Sequence, residues 1–116
     1  MIVEQSNPGY TAAVIKEYQH PSLNRVTLPE VMQALSDPVR IGIVRRLLEA
    51  GEGTEFACNE FPMRLSKATR SHHFQVLRDA GLIRTRVEGT KCMSSLRRGE
   101  LQKRFPGLLG MIENSK

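Results

Sequence analysis

Two adjacent histidines, His72 and His73, lie in the stretch SKATRSHHFQVLRDAGLI, residues 66–83, and two cysteines, Cys58 and Cys92, flank it. Imidazole binds metals and moves protons, and a thiolate attacks oxidants, electrophiles and metalloids. Their spacing decides what they can do. Neighbours on a helix point in different directions, so His72 and His73 cannot grip one ion; paired helical ligands need i,i+4 spacing or its equivalent. No metal site and no cofactor are therefore expected. Cys58 sits between Glu55 and Glu60, whose carboxylates would raise its pKa and blunt it. A structural thiol and a redox or metalloid sensor both remain open for Cys58, which is the candidate thiol sensor. His20 precedes a proline in a connecting segment and reads as a solvated loop histidine, or as a ligand brought in by the N-terminal segment. The chain shows no set of nucleophile, base and orienting group, no carboxylate pair in an apparent pocket and no glycine-rich phosphate loop, which argues against an enzyme.

The elements that position these residues follow from caps and periodicity. Thr27 and Glu30 have capping-box spacing ahead of a helix, with Pro29 tolerated in its first turn. Asp37-Pro38 starts a second helix, and Val39, Ile41, Ile43, Val44, Leu47 and Leu48 cover most of its circumference, so it should be the buried centre. FACNEF, residues 56–61, reads as a short helix stopped by Pro62. Ser66 caps a further helix that runs to Ala80 and closes at Gly81. LIRTRVE-GT-KCMSSL then alternates with period two about a Gly-Thr turn, the pattern of a β-hairpin. Pairing 88 with 91 sets Val87 against Cys92, Thr85 against Ser94 and Ile83 against Leu96 on one side, with Arg84 and Arg86 on the other. Cys92 there reads as a small apolar filler. The last segment is helical with a kink or restart at Pro106. Its stripe Leu101, Phe105, Leu108 and Ile112 is a candidate dimer face, or docks on its own domain. At the other end, residues 11–19 could form a short helix with Val14 and Tyr18 one turn apart.

On a helical wheel of 66–80, Leu77, Ala80 and His73 share one side, with Phe74 and Val76 at its margins. Ala68, Ser71, His72, Gln75 and Arg78 take the opposite side, a short polar face of the type that meets base edges and phosphates in a major groove. Lys67, at the border of the first turn, and the cap Ser66 lie where a helix N-terminus favours phosphate. Charge agrees: residues 64–104 carry 11 basic against 3 acidic side chains, while residues 1–63 carry 5 against 8. A local basic field suits a polyanion, nucleic acid first. Helix, helix, short helix, turn, polar-faced helix and basic hairpin make a mainly α winged helix-turn-helix. In it Ser66, Lys67, Ala68, Ser71, His72, Gln75 and Arg78 face DNA, and Arg84, Arg86 and Lys91 on the wing reach phosphates or the minor groove.

Three motifs in order, ALSDPVRIGIVRRLLE, SKATRSHHFQVLRDAGLI and VEGTKCMSSLRR, resemble the ArsR family of bacterial transcriptional regulators over roughly residues 28–112. The resemblance implies a homodimer built from N- and C-terminal helices. It implies binding to an inverted repeat in double-stranded DNA, and repression relieved by a small effector. It puts Ser71 and His72 in the DNA-reading segment and makes His73 the family's Ser-x-His histidine, with Phe74 in place of the usual leucine. Arg70 departs from the family's usual Val or Leu. The ligand sets the family uses for metals are incomplete here: FACNEF has one thiol where a Cys-x-Cys pair would stand, and the terminal helix has no histidine.

With 116 residues the chain is expected to form one domain: an N-terminal extension 1–26, a winged helix-turn-helix 27–97 and a C-terminal helical segment 98–116. Four Phe, two Tyr and no Trp make its core aliphatic. No apolar run is long enough to span a membrane. MIVEQSNPGY lacks the basic start and apolar core of a secretory leader, and two cysteines in such a chain fit a cytoplasmic protein with free thiols. The expected function is a sequence-specific DNA-binding regulator. The alternative is a winged-helix module that docks proteins; such a face would carry exposed apolar anchors where this one is polar and basic.

Overall fold

The computed structural model describes residues 18–61 and 64–115. Five helices and a small antiparallel sheet follow in the order α1 (Leu28–Leu35), α2 (Pro38–Ala50), β1 (Glu55–Ala57), α3 (Lys67–Asp79), β2 (Ile83–Glu88), β3 (Lys91–Leu96), α4 (Arg98–Arg104) and α5 (Leu108–Asn114). The architecture is that of a winged helix-turn-helix.

Local chemistry sets the helix ends. Thr27 and Glu30 close a capping box: the Glu30 amide donates to Thr27 Oγ1 at 3.3 Å, and the Thr27 amide to Glu30 Oε1 at 2.8 Å. Asp37 accepts from the Val39 and Arg40 amides at 2.8 and 3.1 Å, and Pro38, which has no amide to satisfy, takes the first helical position. Ser66 Oγ accepts from the Thr69 amide at 3.1 Å. α3 stops in a Schellman arrangement, Leu82 N–H donating to Leu77 O and Gly81 N–H to Arg78 O. Gly81 has φ +77°, and a Cβ there would lie 3.1 Å from Val26 Cγ2, so both backbone shape and space ask for glycine.

The core is aliphatic, as expected: Val31, Ala34, Ile43, Val44, Leu47, Leu77, Leu82, Ile83 and Leu101 are buried around Phe61 and Phe74. Those two rings meet edge-on at 5.4 Å. Val39 and Ile41 lie at the margin of the core. The hairpin has the expected register, 88 with 91, 87 with 92, 85 with 94 and 83 with 96.

Four expectations need correction. FACNEF is not a helix. Residues 55–57 are a strand on β3, giving the sheet order β1-β3-β2, and Cys58–Glu60 is a single 3-10 turn held by the Ala57 amide donating to Glu60 Oε1 at 2.6 Å. The cysteines are not free: Cys58 and Cys92 form a disulfide with a Cα–Cα distance of 5.8 Å. Cys92 is thus a cross-link rather than an apolar filler. The stripe Leu101, Phe105, Leu108 and Ile112 turns inward. Leu101, Leu108 and Ile112 are buried in the chain's own core and Phe105 packs against it, because the restart at Pro106–Gly107 folds α5 back toward α2. The large apolar side chain left outside on α5 is Met111. His20 is not a solvated loop residue, as shown below. The helix expected over 11–19 lies outside the described residues except for Tyr18 and Gln19, which are not helical.

Residues 18–26 form a strap along the domain. A 3-10 turn, Leu23–Arg25, puts Leu23 and Val26 into the core. Arg104 donates to the Leu23 and Val26 carbonyls at 3.1 and 2.9 Å, and Arg97 to the Pro21 carbonyl at 2.8 Å. His20 Nε2 accepts from the Thr85 amide at 2.9 Å, satisfying a donor on the edge strand β2.

Candidate nucleic-acid interface

α3 presents two faces. Phe74 and Leu77, with the cap residue Ala80, are buried; Lys67, Ala68, Thr69, Ser71, His72 and Gln75 are exposed. The predicted reading residues Ser66, Lys67, Ala68, Ser71, His72 and Gln75 therefore come together on one open surface. Arg78 does not stand free beside them. Its guanidinium lies 4.2 Å above the Tyr18 ring and donates to Thr85 Oγ1 at 3.4 Å; loss of water around it lowers its pKa from the usual arginine value. Arg78 braces α3 against the strap and the wing.

The two histidines part as their spacing predicts. His72 faces solvent. His73 turns into the joint between α2 and α3, where Arg40 Nη1 donates to its Nδ1 at 3.2 Å and Asp37 Oδ2 lies 4.0 Å away. Arg40 also donates to the Ala34 and Gln33 carbonyls at the end of α1, at 2.7 and 3.4 Å. One guanidinium thus ties α1, the cap of α2 and α3 into a fixed angle. Desolvation opposes the Asp37 charge, but hydrogen bonds from the Arg40 and Val39 amides outweigh it and hold the carboxyl below its ordinary value. Among the described residues no group of three or more His, Cys, Asp or Glu side chains is placed to hold a metal ion.

The wing carries its cations in an unexpected state. Arg84 and Arg86 point outward, as the alternation requires, but each has a carboxylate. Arg86 makes a two-pronged pair with Glu55 at 2.8 and 2.7 Å, which pulls the Glu55 carboxyl down and raises the Arg86 pKa. Arg84 donates to Glu100 at 3.1 Å. Glu100 also takes two bonds from the buried Arg97, both 2.9 Å; chiefly through these its carboxyl is pulled down to about 2. Lys91 at the tip is exposed, and neither it, Lys67 nor Arg64 has a partner among the described residues. Arg64, two residues before the Ser66 cap, escaped the sequence reading; its signal was a basic side chain next to a helix N-terminus. Arg70 is half-buried on the inner margin of α3, with its Nε unpartnered among the described residues.

Sequence could not reveal Glu55 and Glu100 as wing partners. The first depends on β1 joining β3 and the second on how α4 lies against β2, both long-range facts. His20 gave no local signal either.

A polar, capped helix seated on an aliphatic core beside a two-stranded wing defines a helix-turn-helix DNA-binding domain, and comparison with known proteins agrees. Residues 35–86 match the family described as a helix-turn-helix domain. Over 82 residues the chain is 38% identical to the uncharacterised HTH-type transcriptional regulator YceK of Bacillus subtilis, a match spanning 69% of this chain and 80% of that one. Over 62 residues it is 34% identical to an uncharacterised HTH-type transcriptional regulator of Methanocaldococcus jannaschii, spanning 53% and 67% of the two chains. The chain belongs to the HTH-type transcriptional regulators, a family of regulators rather than enzymes. None of the described helices is long and apolar enough to cross a membrane.

Proposed function

We propose that the protein is a sequence-specific transcriptional repressor of the ArsR type, acting in the cytoplasm as a homodimer on an inverted repeat. The observation that carries this reading is the open face of α3. Ser71, His72 and Gln75 offer donors and acceptors to base edges, Ala68 leaves room for close approach, and Lys67 and Arg64 are exposed, without a partner among the described residues, where phosphates would pass. Lys91 extends the positive surface to the wing tip. Arg84 and Arg86 contact phosphate after exchanging a carboxylate for it, an exchange that costs little because both pairs are half-exposed. Dimerisation uses surface outside the inward-facing Leu101, Leu108 and Ile112, with Met111 the exposed apolar side chain of α5 that such a contact would cover.

Fluorescence-anisotropy titration tests the reading, with the protein's own promoter region against random DNA at two salt concentrations. Tighter binding to the promoter, weakening steeply with salt, is expected. No preference for either DNA, or a flat salt response, would remove the DNA reading. Sedimentation of the free protein gives the oligomeric state in the same buffers.

A further inference from the structure

Cys58 and Cys92 join two parts of the molecule that the DNA-binding reading uses together. Cys92 lies in β3, the central strand and one arm of the wing; Cys58 follows β1 on the path that leads to the Ser66 cap of α3. The bond closes a covalent ring from 58 to 92, and the whole of α3 lies within that ring. Neither cysteine is fully buried, and both line a cavity of about 190 Å³ whose other walls include Arg70, Ser71, Gln75 and Arg78 of α3. A small thiol or oxidant can reach the sulfurs from the reading-helix side.

A chain of polar groups reaches Cys58. Arg78 donates to Thr85 Oγ1. Thr85 Oγ1 lies 3.0 Å from Ser94 Oγ, and Ser94 Oγ lies 3.4 Å from Cys58 Sγ. A disulfide sulfur carries no proton, so the Ser94 hydroxyl is the donor in that last contact, and a donor held there favours the Cys58 thiolate. The Arg70 and Arg78 side chains lie in the wall of the same cavity, where positive charge favours a thiolate on either sulfur. Glu55, the neighbour that would oppose a thiolate, is engaged by Arg86, and Glu60 is engaged by the Ala57 amide.

We propose that Cys58–Cys92 is a reversible redox switch: the disulfide ties wing strand β3 to the turn on the path into the reading helix and so holds the DNA-binding arrangement, and its reduction by a small thiol loosens that tie. This rests on the DNA-binding reading above. In the reducing direction a thiolate attacks Cys92 Sγ, forming a mixed disulfide there and expelling Cys58 as the better leaving thiolate. A second thiol then attacks the mixed disulfide. The protein gains two electrons and two protons, and two small thiols leave as their disulfide. In the oxidising direction the Cys58 thiolate attacks hydrogen peroxide, giving a sulfenic acid and a hydroxide that takes a proton from solvent to become water. The Cys92 thiol then displaces a second water and restores the disulfide.

The test uses the full chain in two forms, one treated with hydrogen peroxide and one with dithiothreitol, each confirmed by alkylation and mass. Titrated against the promoter fragment, the oxidised form should bind tighter by about tenfold, within the usual range for coupling between two sites in a protein. Cys58→Ser and Cys92→Ser proteins should each bind with one affinity under both treatments. Where the promoter is preferred over random DNA, equal affinity of the two verified wild-type forms for it overturns the proposal, as does failure of the disulfide to form under oxidant. A second measurement separates this from failure of the DNA reading. Amide hydrogen exchange in β3 and α3 of the free protein should quicken on reduction in the wild type and not in Cys92→Ser. If neither form prefers promoter DNA but exchange responds, the switch stands and the DNA reading falls. Unchanged exchange overturns the switch itself.

Discussion

Replacing Glu55 by Gln asks how the wing is held and what its arginines are for. Glu55 binds Arg86 through both carboxylate oxygens, at 2.7 and 2.8 Å, with the side chains 29% and 50% exposed. Glutamine keeps the shape and one acceptor but loses the charge. For a pair so open to water the loss of stability should be small, and measurable because the contact is two-pronged. The functional effect runs the other way. Arg86 no longer has to leave a carboxylate to meet a phosphate, and the protein gains one unit of positive charge on the wing. In the wild type the counterion that Arg86 releases from the phosphate is offset by one taken up at the freed Glu55 carboxylate; without that carboxylate the slope of log affinity against log salt steepens by up to about 0.9, so a fourfold dilution of salt should gain the variant up to about 3.5-fold more than the wild type. Anisotropy titrations at four or five salt concentrations give the slope, and thermal denaturation gives the stability. A variant that is less stable with an unchanged slope would show that Arg86 does not face the DNA backbone, and the wing's role would shrink to Arg84 and Lys91.

Two further changes probe other parts of the site. Gln75→Ala should reduce affinity for the promoter more than for random DNA, because a side chain that reads base edges carries discrimination while phosphate contacts carry general affinity; equal losses on both would take Gln75 out of the reading set. His20 gives a pH signature. Its folded pKa lies below 6.5, first through burial and then through Arg84, Arg97 and Arg78, so the folded state prefers the neutral ring that accepts from Thr85. The unfolded chain takes up the proton first as pH falls. The contribution is therefore whole above 6.5 and is lost as pH drops through 6.5 toward the lower folded value. Melting temperature should fall more steeply across that window in the wild type than in His20→Asn; parallel curves would mean that the His20–Thr85 bond contributes nothing.

Most of the frame could be read from the chain because its signals are local. Thr27 with Glu30, Asp37 with Pro38, Ser66 and Gly81 mark helix ends within a few residues of themselves, and alternation about Gly89-Thr90 gives both the hairpin and its register. The inner and outer faces of α3 follow from periodicity alone. What escaped is what joins distant segments. β1 is three residues long, too short for a period to show, and with it went the Cys58–Cys92 bond and the Glu55–Arg86 pair. The terminal stripe was legible as an apolar face, but spacing cannot say whether another subunit or the chain's own core covers it. Arg78 looked like a reading residue because the wheel placed it outside; Tyr18 and Thr85, brought in from both sides, made it a brace.

The strap has a practical bearing on how the protein is handled. Within three residues the entering chain touches the reading helix through Tyr18 on Arg78 and the wing through His20 on Thr85. A truncation or substitution that reaches Tyr18 or His20 therefore disturbs both DNA-facing elements at once, and a shortened form made for convenience should keep residues 18–26 whole.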